Sequence, residues 1–188
     1  MGRWQPDARG RLLKAAFELY GERGYERTTV AEIAARAGLT ERTFFRHFAD
    51  KREVLFAGVD TLTGLIVEAV AAEPADLAPI DLAAAGVRAA GAMIQEAGDL
   101  PRQRAAIVAG SAELQERELI KLAAMTAVLA EQLRRRGIVE PAASLAAEAA
   151  TAAFKTAFAR WVDDEPGQDL PRLIDDSLDE LRAVATGR

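Results

Sequence analysis

The polar side chains best suited to chemistry in this sequence are concentrated between Glu41 and His47. Arg42 and Arg46 are four residues apart, so on a helix they would lie one turn apart on the same face. A guanidinium group can pair with both acceptors of a guanine in the major groove, or it can bind a phosphate. Arg42 lies nearer the start of the segment and is the better base reader, while Arg46 is the better phosphate ligand.

His47 is the only histidine, and its isolation limits the other kinds of chemistry. The chain contains no cysteine, so neither a His/Cys metal site nor a Cys–His pair can be built. A Ser-His-Asp triad would have to use His47, and the repeated Glu-x-x-His motif of a di-iron bundle is absent. We therefore expect no catalytic residue, no metal and no cofactor, and we do not expect an enzyme.

Two short helices joined by a tight turn are predicted in residues 28–48, TTVAEIAARAGLTERTFFRHF. Thr29 and Glu32 have the spacing of a capping box at the start of the first helix. Gly38 can end that helix in the left-handed conformation, and Thr40 can cap the second helix. This is the pattern of a helix-turn-helix. The alternative is an ordinary corner of two helices with a solvated, charged outer face.

This stretch with its flanks, from residue 11 to residue 56, resembles the TetR family of bacterial transcriptional regulators. The residues that carry the resemblance are Ala15-Ala16, Leu19-Tyr20, Gly24-Tyr25, Thr28-Thr29-Val30, Ile33-Ala34, Ala37-Gly38, Thr43-Phe44-Phe45, His47-Phe48, Lys51 and Leu55. They agree with the family in order and spacing over about a quarter of the chain. The rest of the chain resembles the family in length and helical character.

The resemblance implies an all-α fold of about nine helices. An N-terminal three-helix head with the helix-turn-helix, residues 1–56, would bind DNA. A long helix would join it to a helical body, residues 57–188, that binds an effector and forms a dimer. Helical periodicity and breakers predict helices at about 7–22, 29–37, 41–47, 51–72, 80–97, 101–109, 112–136, 142–164 and 169–186.

Charge and hydropathy support this division. Residues 1–60 hold 11 Lys/Arg and 9 Asp/Glu, whereas residues 61–188 hold 13 and 20, so an acidic body would follow a mildly basic head. No apolar run reaches the roughly 20 residues that a membrane helix needs, and the first residues lack the apolar region of a signal peptide. We expect a cytoplasmic, nucleoid-associated protein.

The resemblance implies a set of DNA-contacting residues around the second helix of the motif. They are Thr29, Glu41, Arg42, Thr43, Phe45, Arg46, His47 and Lys51. Thr29, His47 and Lys51 would bind phosphates, and Glu41 could accept a hydrogen bond from cytosine or only favour the helix start. Phe45 stands where the family commonly has Tyr, so a hydroxyl–phosphate contact is lost, although the ring can pack against a sugar or a thymine methyl.

The resemblance also implies an effector site in the body. Aliphatic and aromatic residues are the candidates for its lining: Leu62, Leu65, Ile66, Met93, Met125, Phe154, Phe158 and Trp161. No cluster of polar residues accompanies them, so we expect a small, apolar effector. The alternative for most of these residues is an ordinary hydrophobic core.

In the family, the two C-terminal helices of two subunits form a four-helix dimer interface. The corresponding residues in this chain are Leu145, Leu170, Leu173, Ile174, Leu178 and Leu181. The small residues of 142–153 would permit close approach, and the leucine stripe would fill the seam. The alternative is that both stripes are used in the core of the monomer.

The functional prediction is a homodimeric, sequence-specific DNA-binding regulator, a repressor released from a palindromic operator by a small molecule. One alternative is a non-specific DNA-architectural protein, and another is a helical protein–protein adaptor. The basic triplet Arg134-Arg135-Arg136 precedes Gly137 and suits a helix C-terminus. It could instead form a second nucleic-acid patch.

Overall fold

A computed structural model describes residues 7–163 and 167–187 of the protein. This part of the chain contains nine helices and no strand: α1 (Ala8–Arg23), α2 (Val30–Arg36), α3 (Glu41–His47), α4 (Val59–Ala72), α5 (Pro79–Glu96), α6 (Leu100–Ala109), α7 (Ala112–Arg135), α8 (Ala142–Asp163) and α9 (Leu170–Thr186). The predicted all-α fold of about nine helices is confirmed. None of these helices combines the length and apolar character that crossing a membrane requires.

The chain divides into two compact units. One unit contains the predicted head and keeps that name from here on. It comprises the chain up to Gly58 together with Arg102–Arg117. The other, here called the body, comprises Val59–Pro101 and the chain from Glu118 onward. The head therefore includes most of α6 and the first turns of α7 in addition to α1, α2 and α3. Both α6 and α7 contribute residues to both units.

The long helix that we predicted after Asp50 begins only at Val59, and residues 51–58 form turns. Asp50 does accept hydrogen bonds at its side chain from two following backbone N–H groups, as a cap would. The carbonyls that a regular helix would use next are bound by side chains instead.

These carbonyl contacts come from three side chains on two helices, α1 and α6. The Tyr20 hydroxyl donates to the Lys51 carbonyl at 2.7 Å. Arg104 Nε donates to the Leu55 carbonyl at 2.7 Å, and Arg9 donates to Ala57. Within the same segment the Leu55 and Phe56 N–H groups bond to the Arg52 and Glu53 carbonyls, three residues back. Turn bonds and tertiary contacts together therefore take the place of the helical hydrogen bonds.

The two helices of the motif start and end as their sequences predict. Thr29 and Glu32 form a complete capping box at the start of α2. Gly38 has φ 64°, and its N–H bonds to the Ala35 carbonyl while the Leu39 N–H bonds to the Ala34 carbonyl. Those two bonds constitute a Schellman motif, so the turn between α2 and α3 requires the left-handed residue.

The body is held together by α4, α5, α8 and α9, with α5 packing on the other three. Two glycines let α5 come close to its neighbours. A Cβ added at Gly91 would lie 2.5 Å from Ile174 Cδ1, and one at Gly86 would lie 3.0 Å from Leu129 Cδ1. Both contacting atoms are the ends of fully buried side chains, so a methyl group added at Gly91 or Gly86 would force those side chains to shift within the core.

The basic triplet at the end of α7 is fully used within the body. Arg136 donates to the carbonyls of Val70, Ala71 and Glu73 and so closes the C-terminal end of α4. Arg134 pairs with Glu131 and Glu140, and Arg135 pairs with Glu131. These contacts favour the helix-end interpretation over a second nucleic-acid patch.

Candidate nucleic-acid interface

Helix α3 presents a continuous exposed face. Glu41, Arg42, Phe45 and Arg46 are exposed, whereas Phe44 on the opposite side is fully buried. Successive residues of an α-helix are about 100° apart around its axis. Arg42 and Phe45 therefore lie near the centre of the exposed arc, and Glu41 and Arg46 lie at its edges.

Arg42 and Arg46 are uncommitted cations. Neither side chain forms a hydrogen bond or an ion pair with the described residues. The other arginines between residues 9 and 52 all donate to partners within the head: Arg9, Arg11, Arg23, Arg27, Arg36 and Arg52. The two arginines that remain available are thus the two on the exposed face of α3.

The position of α3 is fixed from two sides. Thr40 caps the helix by accepting from the Thr43 N–H at 3.2 Å. The rings of Phe44 and Phe48 pack 5.5 Å apart beneath it. On the other side, Arg11 from α1 donates to the carbonyls of the turn that precedes α3. No feature of the sequence indicated this role of Arg11, because its acceptors are backbone atoms of a distant turn.

Thr29 is already engaged at the start of α2. Its N–H and its hydroxyl both donate to Glu32 Oε2, at 2.9 and 2.8 Å. Glu32 also pairs with Arg23 at 2.7 Å. The hydrogen bonds from Thr29, with the nearby Arg23, hold the pKa of the Glu32 carboxyl below its ordinary value. A phosphate at this helix end would have to share the Thr29 donors with an ionised carboxylate.

Lys51 is placed differently from what a phosphate ligand requires. Its ammonium donates to the carbonyls of Tyr25, Glu26 and Thr28 at 2.9, 3.4 and 3.0 Å. It also lies 4.2 Å from the centre of the Tyr25 ring. All three donors of the ammonium are occupied, so in this structure Lys51 holds the loop between α1 and α2 in place. Its predicted contact with a phosphate stays a prediction.

Thr43 and His47 lie at the border between the exposed and the buried side of α3. The Thr43 hydroxyl is 3.1 Å from the hydroxyl of Thr40, and the side chain is partly buried. His47 is also partly buried, and its Nε2 atom is covered and has no hydrogen-bond partner in the described chain. A phosphate could reach His47 through its other ring nitrogen, or through Nε2 after the ring rotates.

Residues 102–117, from α6 and the start of α7, belong to the head. They form polar contacts there that the sequence did not predict. Ser111 donates to the carboxylate of Glu26 at 3.0 Å. Arg117 pairs with Glu53 at 2.6 Å, and Arg52 pairs with Glu113 at 2.8 Å. The partners are more than 60 positions apart in the chain, so no local pattern could have indicated them.

The residues predicted to line an effector site belong largely to the body core. Ile66, Met125, Phe154 and Trp161 are buried in it, and Leu62 and Phe158 pack against it, whereas Leu65 and Met93 are partly exposed outside this cluster. The rings of Phe154, Phe158 and Trp161 form a stacked row along α8, with centroids 6.1 and 6.0 Å apart. Packing of this kind is expected of a core and also provides an apolar, aromatic surface.

The residues predicted to form the dimer interface divide into two groups. Leu170, Leu173, Ile174 and Leu178 are buried within the protomer, as the alternative interpretation of the stripe stated. They belong to the core that α9 forms with α5 and α8. Leu145 is 65% exposed, and Leu181 is partly exposed. The contribution of both groups to a dimer interface stays a prediction.

Comparison with known proteins gives relatives of one kind. TcmR of Streptomyces glaucescens, an HTH-type transcriptional regulator, is 33% identical over 127 residues, which is 68% of this chain and 53% of TcmR. The match thus spans about half the length of that relative.

Solved structures with the same fold also include transcriptional regulators. One of them is SmeT, the repressor of a multidrug efflux pump of Stenotrophomonas maltophilia. Its complex with triclosan has a TM-score of 0.65 at 23% identity, covering 94% of this chain and 90% of that one. FadR of Bacillus halodurans, a fatty acid degradation regulator, has a TM-score of 0.63 at 19% identity, covering 95% and 96%.

Two family models together match most of the chain. The model of bacterial regulatory proteins of the tetR family matches residues 12–57, which contain the whole helix-turn-helix. The model of the MftR C-terminal domain matches residues 77–186, more than half of the chain. Regulators of this family are DNA-binding transcription factors and not enzymes. This chain belongs to the TetR family of bacterial regulatory proteins.

Proposed function

We propose that this protein is a sequence-specific, DNA-binding transcriptional regulator, a repressor that a small apolar effector releases from a palindromic operator. The observation that carries the proposal is the exposed face of α3, on which Arg42 and Arg46 have no partner in the described chain. A helix with an uncommitted guanidinium at the centre of its exposed arc has the chemistry needed to read guanine in the major groove.

The two arginines have different roles in this proposal. Arg42 lies near the centre of the exposed arc and contacts base edges, while Arg46 at the edge contacts a phosphate. Glu41 lies at the other edge, where its carboxylate can accept from a cytosine amino group or repel the backbone. Thr29 and His47 are secondary phosphate contacts, since Thr29 already has an intramolecular bond and His47 has a covered nitrogen. Thr43, which follows Arg42, contacts a thymine methyl or a phosphate near the base edges.

The proposal includes a homodimer, which the family membership and the exposed residues of α8 and α9 support. Leu145 is exposed on α8, and the same helix carries the exposed cations Lys155 and Arg160. Helix α9 carries the exposed anions Asp176 and Glu180. A two-fold arrangement that places α8 of one protomer against α9 of its partner would bring the opposite charges together.

The effector is proposed to bind in the body beside the aromatic row on α8. Phe158 lies in the middle of that row and is only partly buried. An apolar, planar compound could extend the stack. SmeT, a repressor with this fold, has been solved in complex with the small molecule triclosan. Since α6 and α7 contribute to both units, the chain offers a covalent route from the effector to the head.

The test is selection of bound duplexes from a random pool with the full-length protein, followed by titration of the selected DNA and random DNA at several salt concentrations. We expect a palindromic consensus and specific binding at least about a thousandfold tighter than random binding. Equal affinity for every duplex would favour an architectural protein instead. Absence of any salt-dependent DNA affinity would favour the adaptor.

A further inference from the structure

Phe45 is an aromatic residue placed on a face that otherwise carries charge. Its side chain is 55% exposed, and no other large hydrophobic residue is exposed to this extent in the described part of the head. Single exposed hydrophobic residues are common on protein surfaces, so exposure alone assigns no role. The location on the exposed face of α3, next to the uncommitted Arg42, is the second and more informative observation.

The orientation of the ring is supported from below. Phe45 meets the ring of Phe44 edge to face, with centroids 5.5 Å apart and an interplanar angle of 84°. Phe44 is fully buried and packs on Phe48. Because Phe44 is fully buried, its contact supports the Phe45 ring on the inner side, while 55% of the Phe45 side chain remains exposed.

The position of Phe45 around α3 separates two kinds of DNA contact. Phe45 and Arg42 are three residues apart and flank the centre of the exposed arc, whereas Glu41 and Arg46 lie at its edges. When a helix lies in the major groove, the centre of its exposed face meets base edges and its margins meet the sugar–phosphate backbone. The location therefore favours a base contact over a sugar contact.

We propose that Phe45 is a specificity-determining residue that packs against the C5-methyl group of a thymine next to the base read by Arg42. The inference rests on the proposed function. A phenyl ring has no hydrogen-bonding group, and the thymine methyl is the apolar feature that the major groove presents. The operator should therefore require, in each half-site, a thymine adjacent to the pair that Arg42 contacts.

The experiment replaces each thymidine of the selected operator by deoxyuridine, which removes only the methyl group, symmetrically in both half-sites. Affinities of the full-length protein are measured by fluorescence anisotropy at one salt concentration. The proteins compared are the wild type, Phe45→Ala, Phe45→Leu and the control Leu119→Ala, which removes an exposed hydrophobic side chain from α7 in the body. Circular dichroism confirms that each variant is folded.

One buried methyl group contributes about fourfold to affinity. For the wild type and the control, removing the methyl group that Phe45 contacts from both half-sites should therefore weaken binding about fifteenfold. Phe45→Ala should bind the methylated and unmethylated operators equally, and Phe45→Leu should retain part of the difference. If every deoxyuridine duplex binds the wild type within twofold of the parent, the role of Phe45 is refuted while the regulator function stands.

Two further outcomes would also overturn the inference. An identical loss for the wild type and Phe45→Ala would show that another residue contacts the methyl group. Failure of the wild type to select any duplex over random DNA would remove the proposed function together with the role of Phe45.

Discussion

Replacing Lys51 by methionine separates the two roles that this residue could have. The structure commits its ammonium to three backbone carbonyls and places it over the Tyr25 ring. Methionine keeps an unbranched apolar side chain but removes the charge and all three donors. If Lys51 holds the head together, the variant loses stability, and if it binds phosphate, the variant loses DNA affinity.

The magnitude follows from the contacts. Two of the hydrogen bonds have good lengths, 2.9 and 3.0 Å, and the third at 3.4 Å is weak. A hydrogen bond from a charged donor contributes about 1.5–3 kcal/mol, and the cation–π contact adds about 0.5–1 kcal/mol. Since the side chain is only partly buried, the lower values apply, and we expect a loss of about 2–3 kcal/mol. For a chain of this size that corresponds to a decrease in Tm of roughly 4–12 °C.

The assay is thermal unfolding by calorimetry together with a salt titration of operator binding at a temperature where both proteins are folded. Lys14→Met is the matched control, because Lys14 is exposed on α1 and has no polar partner in the described chain. We expect an unchanged Tm for the control. Two results together would refute the reasoning. Lys51→Met would have the same Tm as the wild type, and its slope of log K against log salt would be smaller by about 0.9 per protomer, the value for one lost phosphate contact.

Three other predictions concern packing, assembly and pH. Gly91→Ala should lower the free energy of unfolding by about 1 kcal/mol in a denaturant titration, since the crowding of Ile174 exceeds the gain in helix propensity; an increase would show that the core can adjust. Leu178→Asp should prevent folding of the body because it buries an unpaired charge, whereas Leu145→Asp should leave a folded monomer by light scattering; a dimeric Leu145→Asp would exclude this face. Because the pKa of Glu32 is lowered in the folded state, its stabilising contribution is present above the unfolded value of about 4.3 and is lost as the pH falls through the folded value. Glu32→Gln should therefore flatten the loss of stability below about pH 4.5 in acid titrations, and an unchanged profile would contradict this.

Local patterns were sufficient to predict the helices and the motif. Capping residues, breakers and apolar periodicity depend on neighbours within one or two turns, and the ends of α1, α2, α3 and α8 lie within a residue or so of the predicted positions. The capping box at Thr29 and the left-handed Gly38 are confirmed for the same reason. The exposed residues of α3 also follow from its periodicity.

Tertiary contacts account for what the sequence could not indicate. The turns at 51–58 exist because side chains from α1 and α6 bind carbonyls that a helix would have used. The inclusion of 102–117 in the head depends on ion pairs such as Arg117 with Glu53, between residues 64 positions apart. The stripe on α9 satisfies the periodicity of a dimer seam and of a monomer core equally, and only the packing of the body separates them.

The central claim, that α3 reads bases through Arg42, is tested most directly by the ratio of operator affinity to random-DNA affinity in Arg42→Ala. The control is Arg135→Ala, which removes the same charge from an exposed position in the body. We predict that Arg42→Ala weakens operator binding by about 1–3 kcal/mol per half-site, relaxes the choice at one base pair, and leaves random-DNA affinity nearly unchanged. Equal weakening of operator and random DNA would place Arg42 on a phosphate, and no change in either would remove α3 from the interface.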